Sequence, residues 1–518
     1  MNKVNHGRRT FLQMTAGAAA SAPLFGLAGR ALARPSDFDP SFGTATEAMA
    51  ALERRRISSR ELMAHVFARI ARINPSLNAF VTLLEEQAML AAAAADEARM
   101  RGGRALGRLH GLPVLMKDVF MTAGVRTTSG SLQYKDYVPT EDAAVVARMK
   151  RAGAIIIGKT NTPELALDWQ TFNEVAGQTN NPWDLTRTPG GSTGGGAAAL
   201  ATGMGFLETG SDMGGSLRTP AHFTGVYGHK PSLDLVPTFG HIMPPPTSQL
   251  WTNPLVVMGP LARSADDLAL SLLAIAGPEQ AALRWTLPAP RKTRLSEYRI
   301  GCMLDDPFCA VDPEVKEVLQ QAVDALRGAG VQVVEGWPEG VSLPASFDLY
   351  LFMAGGLQGN AVSPEQRAQF NELVRQGNTQ DPYILGVTAS HYEYTLKDQQ
   401  RLIQRARWQH YFRSFDAFLC PVHFIPAFPH DHRLPRNTRS LVTSDGSTRA
   451  YNENMKWVSP ATLAGLPATA APVGFTRRGL PVGIQIIGPY YEDGTPIDVA
   501  RGLTELVGGF ARPPAYAN

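Results

Sequence analysis

The sequence predicts an α/β fold with a mixed or mainly parallel sheet, and three observations carry the prediction. Helix-patterned and strand-like runs alternate along most of the chain, the order that builds layered α/β domains. At 44% hydrophobic and 18% charged residues, the composition of the 518 residues is that of a globular protein with a large core. No stretch after the first 33 residues reads as an interdomain linker, so 34–518 is expected to be a single domain.

The first 33 residues stand apart. "GRRTFLQ" at Gly7–Gln13 leads into "MTAGAAASAPLFGLAG" and then "ALA" at Ala31–Ala33. A charged start, an apolar middle and an A-x-A end make a signal peptide. Adjacent Arg8 and Arg9 before Thr10, Phe11 and Leu12 resemble the twin-arginine type. The apolar part is too short and too rich in Gly and Ala to span a bilayer stably. The expectation is export by the twin-arginine machinery, cleavage near Ala33 and a periplasmic product. The same residues hold Lys3, Arg8, Arg9 and Arg30 and no acid, and so supply +4 against a net charge of +3 for the whole chain. The remaining body is close to neutral, which removes the argument for a basic nucleic-acid-binding surface.

The elements of that body follow in order. "SSRELMAHVFARIARI" opens on Ser58, Ser59 and Glu61 and carries apolar residues at helical spacing. "NAFVTLL" is strand-like, "EEQAMLAAAAADEARM" helical, and "LPVLMKDVF" a short buried strand interrupted by Lys117-Asp118. "DAAVVARMKRAGA" is a helix and "IIIGKTN" a strand. After Phe206 come a strand, a Gly-rich turn and, later, the amphipathic helix "ARSADDLALSLLAIAG". "YRIGCMLDD" and "DPEVKEVLQQAVDALRGAGVQVVEG" read strand, helix, strand. Residues 340–415 are less periodic and are expected to be a variable, mostly helical segment over the core. "FDAFLCPV", "ATLAGLPATAAPVGF" and "LPVGIQIIGP" close the chain as strands edged by Gly and Pro. Cys302, Cys309 and Cys420 form no C-x-x-C, so neither a disulfide framework nor a zinc knuckle is indicated. Free or buried thiols are expected, with a Cys302–Cys309 bridge left open, as is the oligomeric state, a homodimer included.

Several stretches look chemical. "GAIIIGKT" at Gly153–Thr160 matches the phosphate-loop pattern, but three isoleucines fill the would-be loop and belong in a strand. "GGSTG" at Gly190–Gly194 matches a nucleophile elbow, yet the preceding "NNPWDLTRTP" cannot be the central strand an elbow requires. His423, His430, Asp431 and His432 sit among prolines without a metal-ligand pattern, and read as solvent-facing or structural residues of an irregular surface loop. A second glycine cluster, "TGSDMGGSLRTPA" at Thr209–Ala221, places Ser216 on another tight turn. Successive N–H groups at Met213, Gly214 and Gly215 can converge there on one anion. The apolar approach to Lys117 would bury its ammonium and lower its pKa, and a neutral lysine is a general base. One base, two serines and an oxyanion-binding turn form an amide-cleaving set.

These residues resemble the amidase signature family. Lys117 in "GLPVLMKDVF", Ser192 in "PGGSTGGGAAALA" and Ser216 in "GSDMGGSLRTPA" match its three motifs. Supporting stretches run from about Ser58 to Leu503, among them "GKTNTPEL", "GVYGHKP" and "GPLARSADDLAL". The resemblance implies a central mixed sheet covered by helices on both faces. It implies Ser216 as nucleophile, Ser192 as proton relay after a cis Gly191–Ser192 bond, and a neutral Lys117 as base. Backbone N–H groups of Met213, Gly214, Gly215 and Ser216 would bind the oxyanion, with no metal or organic cofactor. The chain departs from the family at Thr193, commonly Ser, at Gly196, frequently Ser, and at His229, usually apolar. The expected activity is hydrolysis of a small-molecule carboxylic amide to the acid and ammonia or amine, esters being open to the same acyl-enzyme. The alternatives are the glutaminase-type subunit of a tRNA-dependent amidotransferase and a non-catalytic binding protein on the same fold.

Overall fold

Capping chemistry starts the described chain as its sequence suggests. In the computed structural model, which describes residues 38–102, 106–241, 253–278, 286–359 and 362–517, Thr44 and Glu47 form a reciprocal capping box ahead of the helix Ala45–Glu53. Ser58 and Glu61 do the same for Ser59–Leu77, satisfying N–H groups that a helix start leaves without partners. The predicted signal segment lies outside the described residues.

The strands are β1 (Phe80–Leu83), β2 (Pro113–Lys117), β3 (Ile155–Thr160), the paired β4 (Phe172–Asn173) and β5 (Gly177–Gln178), and β6 (Leu207–Asp212). Next come β7 (Tyr227–Lys230), β8 (Val257–Ala262), β9 (Arg299–Cys302), β10 (Gln332–Glu335) and β11 (Ala417–Pro421). After the ribbon β12 (Ser440–Val442) and β13 (Thr448–Ala450), β14 (Ala468–Phe475) and β15 (Pro481–Ile487) complete the set. Eleven strands join in the order β1-β3-β2-β6-β8-β7-β14-β15-β11-β9-β10.

The sheet is mixed rather than mainly parallel. Parallel pairing is confined to β3-β2-β6 and β11-β9-β10, where crossovers such as the helices Ala144–Arg151 and Pro313–Gly328 return the chain to the same end. The centre, β6-β8-β7-β14-β15, is antiparallel throughout. β2, β3, β6, β8 and β15 are buried along their whole length, as strands covered on both sides must be. Their near-continuous apolar runs are interrupted by Lys117, Lys159, Glu208 and Asp212, all buried.

Helices flank this sheet. The segment 340–415 holds Leu343–Gln358, Pro364–Arg375, Pro382–Thr388 and His391–Tyr411. From the first of these, Phe347, Tyr350 and Met353 pack with Leu255 and Leu463 into a core cluster that reaches Met213 and Met455. The three cysteines are buried and free. Among the described residues no helix is long and apolar enough to cross a membrane.

Candidate active site

Lys117 ends β2 with its side chain fully buried. Its Nζ donates to Ser192 Oγ at 2.6 Å and to Ser211 Oγ at 3.2 Å. Burial holds its ammonium down at about 7, against the opposing pull of the Glu208 and Asp212 carboxylates. Loss of hydration is the larger effect because a charge in a low-dielectric interior keeps little of its solvation. Glu208, on the neighbouring β6, is itself pushed up to about 8 by burial, although it accepts a bond from Thr160 Oγ1 at 2.9 Å.

Ser192 sits in the turn before the helix Gly194–Ala201, after a cis Gly191–Ser192 bond. The departures noted in this loop have local explanations. At Gly196 a Cβ would come within 2.3 Å of Glu208 Cδ, so the glycine leaves room for a buried glutamate. Thr193 closes over Gly210, its methyl and hydroxyl lying 2.6 and 2.7 Å from where a Cβ would stand. His229 ties two distant segments, with Nδ1 2.9 Å from Thr469 Oγ1 and Nε2 3.1 Å from Asp493 Oδ1.

Ser216 follows β6 on a turn that Asp212 organises. Asp212 accepts from the N–H groups of Gly215 (3.0 Å) and Leu217 (3.1 Å), and its carboxylate pairs with Arg218 through Nε (3.0 Å) and Nη2 (2.8 Å). Against the upward push of burial, Arg218 and these bonds hold the carboxyl at about 2. Gly215 has φ +94°, a conformation that suits glycine. The expected role of its N–H is therefore corrected: the amide faces Asp212, because a carboxylate three residues earlier competes for it. The N–H groups of Met213, Gly214 and Ser216 have no protein acceptor among the described residues. The carbonyls beside them are fixed, Met213 O by Tyr350 OH (3.3 Å) and Gly214 O by Trp169 Nε1 (3.0 Å). Ser216 O accepts the Thr193 N–H at 3.2 Å, holding the two serine turns against each other.

Ser216, 9% exposed, opens on a cavity of about 380 Å³. Its walls include Trp169, Met213, Tyr350, Leu351, Ala354 and Met455, with Asn437, Asn452 and Gln358 at intervals. Asp168 also lines it but is paired with Arg439 Nη1 at 2.7 Å and accepts from Tyr451 OH. Arg436 lines it as well, 3.4 Å from the Asp168 carboxylate, so the result is a largely apolar slot with several polar groups in its wall, a usual construction of a small-molecule site.

The other candidates lie elsewhere. Lys159 of the phosphate-loop match is in a strand and donates to Thr127 Oγ1 (3.0 Å) and Thr122 Oγ1 (3.1 Å), 3.8 Å from Asp118. His423 is not a surface residue. It is buried, bonded to Asn454, stacked on Phe424 at 5.1 Å between ring centroids and set edge to face against Phe223 at 5.0 Å. Its apolar context, "PVHFIPAF", drives the loop inward. No three His, Cys, Asp or Glu come together as metal ligands among the described residues. Sequence reasoning missed Ser211, which accepts from Lys117, His241, which is bonded to Ser211, and the Asp212–Arg218 pair behind Ser216. Only the last has a visible signal, an acid and a base six residues apart around the turn.

A sequence model of the family described as Amidase matches residues 61–496. The chain belongs to this amidase family. The amidase is 32% identical over 488 residues to the A subunit of glutamyl-tRNA(Gln) amidotransferase from Picosynechococcus sp., covering 88% of this chain and 96% of that one. The solved structure of the same subunit from Thermotoga maritima superposes with a TM-score of 0.73 at 26% identity, over 92% of this chain and 98% of that one. The structure of 6-aminohexanoate cyclic dimer hydrolase complexed with substrate gives 0.72 at 25% identity, over 92% and 99%. The amidase therefore has the amidase signature fold and is a hydrolase of carbon–nitrogen amide bonds.

Proposed function

We propose that this amidase hydrolyses a small amide with an apolar acyl part, releasing ammonia or an amine, through Ser216, Ser192 and Lys117. The observation that carries the reading is the fully buried Lys117 Nζ, 2.6 Å from Ser192 Oγ, behind a serine that faces an apolar cavity. Ser216 Oγ attacks the carbonyl carbon while its proton passes to Ser192 and the Ser192 proton to neutral Lys117. The oxygen that gains charge is held by N–H groups of Met213, Gly214 and Ser216. Collapse breaks the carbon–nitrogen bond, and the leaving nitrogen takes a proton back through Ser192. Water then attacks the acyl-enzyme by the same route in reverse, giving the carboxylate and free Ser216.

The pH dependence has a defined sign. Below about 7 Lys117 is an ammonium and cannot accept a proton; above it the amine is free. With one essential base, kcat/KM rises about tenfold per pH unit up to about pH 7 and is flat above. A rate profile from pH 5 to 9 checks this, and a profile falling across pH 7 refutes Lys117 as base.

The second reading, a glutaminase-type subunit of a tRNA-dependent amidotransferase, is the one the curated relatives favour. The apolar cavity walls and the twin-arginine-type leader support free hydrolysis instead, with export to the periplasm. A panel of aliphatic, aryl and peptide amides beside glutamine separates the two. An apolar amide is expected to be preferred by at least about 100-fold in kcat/KM, a difference of about 2.7 kcal/mol. A preference for glutamine establishes the second reading. Export is tested by fractionating cells that express the full chain and its Arg8→Lys, Arg9→Lys form, which should remain inside.

A further inference from the structure

Behind Lys117 lies a second hydroxyl and then an imidazole. Ser211 Oγ receives the Lys117 N–H at 3.2 Å and stands 3.0 Å from His241 Nε2. Ser211 is 4% exposed and His241 8%. The lysine points its hydrogen at the hydroxyl oxygen, so the hydroxyl's own hydrogen is left for the imidazole. His241 then accepts at Nε2 and carries its proton on Nδ1. Its ring is set by Phe120, 5.5 Å away between centroids, and by a backbone bridge between the same two residues.

We propose that His241 is a positioning residue for amide hydrolysis, acting on Lys117 through Ser211; the inference rests on Lys117 being the base. While the imidazole holds the Ser211 hydrogen, Ser211 can only accept from Lys117. That arrangement favours the ammonium formed when Lys117 takes the relay proton. It also leaves the amine lone pair aimed at Ser192 rather than tied up by a rotating hydroxyl. Burial pushes the imidazole down to about 3, so it remains a neutral acceptor across the working pH range. The other charged groups acting on Lys117 are Glu208 and Asp212 on β6. Neither of these is hydrogen-bonded to His241 or Ser211, so replacing either residue leaves their own bonds in place.

His241→Phe keeps a ring against Phe120 and removes the acceptor. The expected result is a kcat about tenfold lower with KM unchanged. The acid limb of kcat/KM moves about one pH unit lower, because a bond to the charged form no longer supports the ammonium. His241→Gln restores an acceptor and should recover most of both. Ser211→Ala should reproduce the loss, and the double variant should be no worse than the worse single one. An unmoved acid limb in His241→Phe, no recovery in His241→Gln, or additive losses in the double variant each overturn the proposal. If His241→Phe does not fold, by circular dichroism and thermal melting, His241→Gln and Ser211→Ala against wild type decide it. In that case an unmoved limb in Ser211→Ala overturns it. A wild type with no limb near pH 7 is a failure of the base assignment instead, and is read before the variants.

Discussion

Ser216→Ala is expected to lower kcat by about 10⁴-fold or more while leaving the protein folded. The hydroxyl is the atom that forms the acyl bond, and no neighbouring group on the turn can replace it. The fold does not depend on it. Ser216 holds the relay loop through its backbone carbonyl, which accepts from Thr193, and the turn is set by backbone bonds to Asp212. Removing one oxygen at the cavity edge should change stability by less than about 0.5 kcal/mol. The measurements are turnover of the preferred amide, a thermal melt, and a fluorophosphonate label located by peptide mass spectrometry. The wild type should carry the label on Ser216 and the variant should carry none. Undiminished hydrolysis by Ser216→Ala removes Ser216 from the reaction.

Arg218→Leu is expected to destabilise the protein by about 3–5 kcal/mol, the range for stranding one member of a buried ion pair. Arg218 is fully buried and donates to both oxygens of Asp212, to Val458 O (2.9 Å), Gln485 Oε1 (2.6 Å) and Thr462 Oγ1 (2.8 Å). Its removal leaves a carboxylate and several acceptors in a dry interior. Chemical denaturation should show the midpoint falling, and activity should fall with it because the Ser216 turn is hung on Asp212. The pH sign is also fixed. Asp212 is held at about 2 against an ordinary 3.8, so its stabilisation is present above pH 3.8 and is lost as pH falls through about 2. A denaturation midpoint unchanged in Arg218→Leu would show that the pair is not needed.

The parts legible in the sequence are those whose chemistry is written in a few adjacent residues. Ser192 and Ser216 lie in short glycine-rich runs, and Lys117 ends an apolar strand whose burial is plain from its neighbours. Gly215 shows the limit of that kind of reading: convergent N–H groups are visible in the sequence, but the carboxylate that captures one of them declares itself only in the folded turn. Ser211 meets Lys117, and His241 meets Ser211, only through folding, from a strand and a loop far from Lys117 in the chain. The antiparallel centre is illegible for the same reason. β7 pairs with β14 and β11 with β15, contacts set by tertiary packing rather than by the local alternation of helix and strand. The prolines around His423 suggest a surface loop with solvent-facing or structural histidines, whereas the phenylalanines and isoleucine of the same stretch decide its burial.

Part of the cavity wall has a different origin from its floor. Lys117, Ser192 and Ser216 come from the first half of the chain, on the sheet and its adjoining turns. Tyr350, Leu351 and Ala354 come from a single helix, Leu343–Gln358, in the segment that the sequence marks as variable. Selection can therefore change part of what the enzyme recognises by altering the cavity-facing positions of one helix, while the reacting groups stay under separate constraint. Tyr350 is the exception, since its hydroxyl also holds the Met213 carbonyl. It is the position at which a new substrate range would trade directly against rate.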